Sequence, residues 1–200
     1  MMSGCGCSSE QASSLERKTL FVLLAINGIM FFIEITLGLY AESTGLIADS
    51  LDMLADAFVY GLSLYAVGHS LQRQVSAARV SGYLQILLGF GVLIEVVRRF
   101  ILGSEPLSEF MIFVGLLALV ANIICLMLIA KHRQGGVHMR ASWIFSTNDV
   151  IANLGVIVSG LIVLWSGSPY PDLVIGYIIS MIVIKGGFRI LREARESVPK

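Results

Sequence analysis

Ser43-Thr44-Gly45-Leu46-Ile47-Ala48-Asp49-Ser50-Leu51-Asp52-Met53-Leu54-Ala55-Asp56 opens one of six long apolar runs in this chain, and three aspartates stand inside it. At spacings of three and four residues, Asp49, Asp52 and Asp56 share one face of a helix. Like charges on one face repel, and a low dielectric strengthens the repulsion. Protonation or a bound cation relieves it.

The solvent around this run follows from composition. Apolar residues make up 56% of the 200, charged residues only 14%, and mean hydropathy is +0.83. A soluble domain carries about 25% charged residues, so lipid must face much of this chain. Runs long enough to cross roughly 30 Å of hydrocarbon, about 20 residues each, lie at 19–40, 45–68, 80–101, 110–130, 142–165 and 173–190. Backbone groups in lipid must be satisfied within their own segment, so each run reads as a helix. The fold class expected is all-α, a polytopic membrane protein of six transmembrane helices. The expected organisation is a flexible cytoplasmic tail over 1–15, the six-helix domain over 16–195 and a short cytoplasmic tail over 196–200. The polar start, Met1 to Ser14, lacks the layout of a cleaved signal peptide.

Basic residues set the orientation. With the N-terminus inside, the inner side holds Arg17, Lys18, Arg73, Arg79, Lys131, Arg133, Arg140, Lys185, Arg189, Arg192, Arg195 and Lys200, and the outer side only Arg98 and Arg99. Both termini are therefore expected in the cytoplasm. No basic stripe points to nucleic acid. Cys5, Cys7 and Cys125 are too few and too scattered for a disulfide framework.

Glu34, Glu95 and Asp149 also lie within the apolar runs. An ionisable group at the bilayer centre costs about 3 kcal/mol, so each needs a polar partner. Depth decides which belong together. At about 1.5 Å per residue, Asp52 and Asp56 lie roughly 12 and 18 Å below the outer end of helix 2, and Asp149 about 13 Å above the inner start of helix 5. Three carboxylates from antiparallel helices reach one level near the midplane, and oxygen ligands at that density suit a divalent cation. Helices 1, 2, 4 and 5 carry no interior lysine or arginine that would pair with them. Asp49, Glu34 and Glu95 lie nearer helix ends, where water or support of other ligands is the plainer role. Glu95 has Arg98 and Arg99 within one turn.

The helix 2 run, together with Asn27, Glu34 and Gly38 on helix 1, resembles the transmembrane domain of the cation diffusion facilitator family. Arg140-Ala141-Ser142-Trp143 to Asn148-Asp149 matches its fifth helix, and the likeness spans nearly all of Ser14 to Arg195. Members carry a His or Asp, three residues, then an Asp on both helices. Asp52 and Asp56 fill the first pair and Asp149 half of the second. Phe145 stands at the remaining position and cannot bind metal. The resemblance therefore implies a carrier of divalent metal whose ligands are Asp52, Asp56 and Asp149.

Asn153, four residues on and on the same face, is the best candidate for the missing oxygen. Asn148 points about 100° away and is poorer. Asn27, Asn122 or a water is a further candidate, with Asp49, Asn27, Glu34 and Asn148 expected near the ion or along its path. An all-oxygen set admits manganese, iron, cobalt or cadmium beside zinc, as transported ions rather than a resident cofactor.

The resemblance further implies efflux in exchange for protons, a bacterial cytoplasmic membrane and no enzymatic activity. Family members continue into a cytoplasmic metal-binding domain, which this chain is expected to lack. A homodimer, if formed, would use membrane contacts, for which no Gly-x-x-x-Gly pair offers a face. Two rival readings stand beside transport: a non-transporting metal sensor or partner subunit, and an intramembrane aspartyl protease, whose Gly-x-Gly-Asp pattern is absent at Asp149. Of the smaller signals, Cys5 and Cys7 are two thiols where a stable thiolate site takes about four ligands. His132 and His138 read as loop histidines, and His69 as a cap closing helix 2.

Overall fold

The computed structural model describes residues 6–66, 71–130 and 137–196; within these, the side chains of 6–16, 66, 71, 74, 137–146 and 148 are outside the description. Six helices follow one another: α1 Gly6–Tyr40, α2 Thr44–Ala66, α3 Leu71–Leu102, α4 Ser108–Ala130, α5 Val137–Ser166 and α6 Tyr170–Glu196. There is no strand among the described residues.

The helices match the six apolar runs in number and order, but several run past them. α1 begins at Gly6, so most of the tail expected over 1–15 is helical, and α3 and α5 begin at Leu71 and Val137 rather than at 80 and 142. Hydropathy marks only the length that lipid covers, whereas backbone hydrogen bonding carries a helix on into water. Five helices are long and apolar enough to cross a membrane, over Arg17–Tyr40, Val75–Leu102, Ser108–Ala130, Asp149–Ser166 and Tyr170–Glu196. α2 differs through its three aspartates. Its 23 residues still give about 34 Å of helix, more than the roughly 30 Å of hydrocarbon.

α2 lies at the centre. Among the described residues it alone packs against all five other helices, while α1 with α2, α4 with α5, and α3 with α6 form the tightest pairs. The outer faces carry large apolar side chains such as Phe32, Phe90, Ile94, Phe113 and Trp165, and polar Asn27, Glu34, Asp49, Gln85, Asn122 and Asn153 are buried inside. That inversion suits a lipid solvent, which accepts apolar surface and rejects unpaired polar groups.

Two close approaches fix the height of α2 and α6. Ser43 caps α2, its Oγ accepting from the Leu46 N–H at 3.1 Å. The Asp172 carboxylate, wholly buried in the first turn of α6, accepts from the Ser43 hydroxyl at 2.7 Å and from the N–H groups of Thr44 and Gly45. It caps α2 from another helix, with the negative charge at the positive end of the α2 dipole. Contact this close needs glycine. A Cβ on Gly176 would stand 2.8 Å from the Thr44 Cγ2. Gly82 and Gly187 bring α3 and α6 together in the same manner, since a Cβ on Gly187 would lie 2.8 Å from the Gly82 carbonyl oxygen.

At the same end of the bundle, Glu95 pairs with both Arg98 and Arg99, each at 2.6 Å. Buried Arg99 also donates to the backbone carbonyl of Glu42, whose φ of +49° ends the turn between α1 and α2. An arginine thus serves a helix-end carbonyl that lipid would leave unpaired.

Asp172→Ala leaves three buried donors without an acceptor and lowers stability by about 3 kcal/mol or more, read as a drop in the thermal unfolding midpoint in detergent. Asp172→Asn keeps one acceptor oxygen, and its midpoint falls between the two.

Candidate metal site

The packing of α2 against its neighbours sets which carboxylates share a level. A Cβ on Gly45 would lie 3.5 Å from the Val156 Cγ2 of α5. Seven residues forward along α2 is Asp52, and seven back along antiparallel α5 is Asp149. Seven residues are close to two full turns, so both side chains return to the facing sides about 10 Å from the starting contact. Asp149 is within hydrogen-bonding reach of both Asp52 and Asp56. Asp52 and Asp56 are 9% and 7% exposed, and Asp149 is half-buried.

These three side chains line one cavity of about 240 Å³ together with Gln85 of α3 and Ile182, Val183, Lys185, Gly186 and Arg189 of α6. That volume is ample for an ion carrying several waters. Among the described residues, no three Asp, Glu, His or Cys side chains close into a ready metal cage. The carboxylates stand on a cavity wall, so an ion entering it keeps water or draws them inward. Tyr60 extends the polar wall, its hydroxyl 3.5 Å from an Asp56 carboxylate oxygen.

The other expected residues are placed differently. Glu34 and Asp49, 0% and 1% exposed, face each other across the α1–α2 contact. Neither Glu34 oxygen meets a donor among the described residues. Asn27 donates to the Leu23 carbonyl at 2.9 Å and to the Cys125 sulfur at 3.8 Å. Asn153 donates to the Asp149 backbone carbonyl at 2.7 Å, and it is not among the residues of the cavity wall. Cys5, Cys7, His69, His132, His138, Phe145 and Asn148, each singled out in the sequence, have side chains outside the described residues.

Gln85, Lys185 and Arg189 escaped sequence reasoning. An uncharged glutamine in an apolar run carries no electrostatic signal, and the two basic residues read as the inner end of helix 6. The available signal was helical register. α6 runs parallel to α2 from the Gly176–Thr44 contact, and residues 182–189 then cover the levels of Asp52 and Asp56.

The model of the cation efflux transmembrane domain matches residues 20–197. The chain belongs to the cation efflux family. Among its relatives, the zinc transporter ZitB of Yersinia pseudotuberculosis is 26% identical over 191 residues, covering 88% of this chain and 61% of the relative. The metal cation efflux system protein CzcD of Cupriavidus metallidurans is 25% identical over 204 residues, covering 96% and 64%. The cadmium, cobalt and zinc/H(+)-K(+) antiporter of Bacillus velezensis is 21% identical over 204 residues, covering 94% and 65%. This member of the cation efflux family thus spans about three fifths of the length of the curated relatives it matches. Membership, with its apolar helices, makes it a multi-pass integral membrane protein of the kind bacteria carry in the inner membrane. It also sets aside the protease reading.

Glu34→Gln gives Asp49 an amide donor in place of a second carboxyl. We expect it to raise stability at neutral pH by about 1–2 kcal/mol, seen as a higher thermal midpoint in detergent. A fall instead would mean that the two carboxyls hold each other in place.

Proposed function

We propose that this chain carries a divalent metal cation out of the cytoplasm in exchange for protons, by alternating access around Asp52, Asp56 and Asp149. The supporting observation is the meeting of these three carboxylates, from two antiparallel helices, on the wall of one cavity. Clustered acids inside a bilayer mark an ion or proton path. The relatives are named as transporters of zinc, cobalt and cadmium, and an all-oxygen set adds manganese and iron. Asn153 is carried in this reading as a contributor near Asp149, and Asp49, Asn27, Glu34 and Asn148 as surroundings of the path. All six helices cross the membrane and both termini lie in the cytoplasm. A homodimer would form through membrane helices.

Proton exchange follows from competition for the same oxygens. Metal binds ionised carboxylates and releases their protons, so affinity falls as pH is lowered. Three interacting acids titrate as a group, and the returning proton belongs to the cluster. Lys185 and Arg189 also line the cavity, and Arg189 is paired with Glu193 at 3.0 Å.

In proteoliposomes containing the full chain, Asp56→Ala and Asp149→Ala should each reduce metal flux to that of empty vesicles, and wild-type flux should rise when an inward proton gradient is imposed. Full flux in either variant would remove these carboxylates from the path. The rival reading, a metal sensor without transport, draws on the open arrangement of the carboxylates. It would show metal binding with no flux under any gradient. For orientation, reporter fusions at both ends should be active only on the cytoplasmic side.

A further inference from the structure

The carboxylates supply three side chains, and Phe145 offers nothing to a metal. We propose that Gln85 of α3 supplies the next oxygen to the transported ion through its Oε1. This rests on the reading that Asp52, Asp56 and Asp149 bind that ion.

Register places the side chain. Gly82 of α3 lies against Gly187 of α6, and Gly89 against Ser180, so the two helices run antiparallel in tight contact. Three residues beyond Gly82, Gln85 stands opposite Ile184. Eight residues along α6 from Gly176, which touches Thr44, Ile184 is level with Asp52, eight residues along α2. Positions 82, 85 and 89 share one face of α3, so Gln85 is held toward α6 between two glycine contacts. It therefore reaches the cavity from the side of α3, while the acids reach it from α2 and α5.

The amide is 3% exposed, and its Oε1 has no hydrogen-bond donor among the described residues. A buried carbonyl oxygen without a partner is uncommon and calls for an explanation. A cation in the cavity gives one. Position separates Gln85 from the other buried amides: Asn153 donates through its Nδ2 to the Asp149 carbonyl and its Oδ1 also lacks a donor among the described residues, but Asn153, Asn122 and Asn27, which donates to Leu23 and Cys125, do not line the cavity. Three carboxylates and an amide carbonyl form a hard donor set, of the kind that suits manganese. The ion would also tie the α3–α6 pair to α2 and α5, so loading changes how these helices hold together.

The full chain in lipid nanodiscs is titrated with Mn²⁺ and with Zn²⁺ at fixed pH, as wild type, Gln85→Leu, Gln85→His and Asp149→Ala. Gln85→Leu keeps the bulk and loses the oxygen; it should weaken Mn²⁺ binding about tenfold or more, with no fall in thermal midpoint. Gln85→His should move the Zn²⁺/Mn²⁺ affinity ratio toward zinc by about tenfold, a change that a packing role would not produce. Equal weakening of both metals in Gln85→His would overturn the assignment. So would wild-type binding in Gln85→Leu beside loss in Asp149→Ala, which would leave the carboxylate site standing. Wild-type binding in Asp149→Ala would defeat the carboxylate reading itself, and the Gln85 proposal with it.

Discussion

A carboxylate set against hydrocarbon is so unfavourable that a helix bearing several must be surrounded. α2 bears three, and the architecture follows from that constraint. The other five helices pack around it, and lipid-facing side chains occupy the outer faces of the bundle. In a soluble protein the central helix is the most apolar. Here the central helix carries the acids: α2 is the helix outside the set of five long and apolar enough to cross a membrane.

Enclosure protects the acids, and register makes them useful. A slip of one residue in either helix would turn Asp149 by about 100° from the α2 face. The Asp172 carboxylate of α6 fixes the height of α2, because it accepts from three donors, Ser43, Thr44 and Gly45, at the start of α2. The nearby glycines leave no room for the helices to settle at another height. A clamp two turns from the cavity thus sets the geometry of the acids inside it. The protein joins one end of the bundle, where Asp172, Arg99 and Glu95 are all paired, to a polar chamber where the buried Gln85 Oε1 has no donor among the described residues. Burial makes an oxygen without a donor costly, and a cation beside it lowers that cost.

Sequence reading went furthest where charge and lipid conflict. Six apolar runs forecast six helices in order, because helix is the form in which lipid-facing backbone is satisfied. Helix ends were poorly legible: α1, α3 and α5 outrun their apolar stretches, and nothing in hydropathy marks where a helix stops once it is in water. Glu95 was legible as a partner of nearby arginines, since residues one turn apart must meet. Asp172 was not. It sits at a helix start, a place where an acidic residue is ordinary, and its value lies in donors 127 to 129 residues away in the chain.

What the sequence alone determined is which groups cannot face lipid. The periodicity of α2 puts Asp49, Asp52 and Asp56 on one face, and the cost of burying charge requires a polar interior there. What only the tertiary structure decided is which groups share that interior. Gln85, Lys185 and Arg189 reach the cavity because helix contacts at glycines set the relative heights of α2, α3, α5 and α6. Those heights depend on side-chain contacts between residues distant in the chain, and no local pattern encodes them.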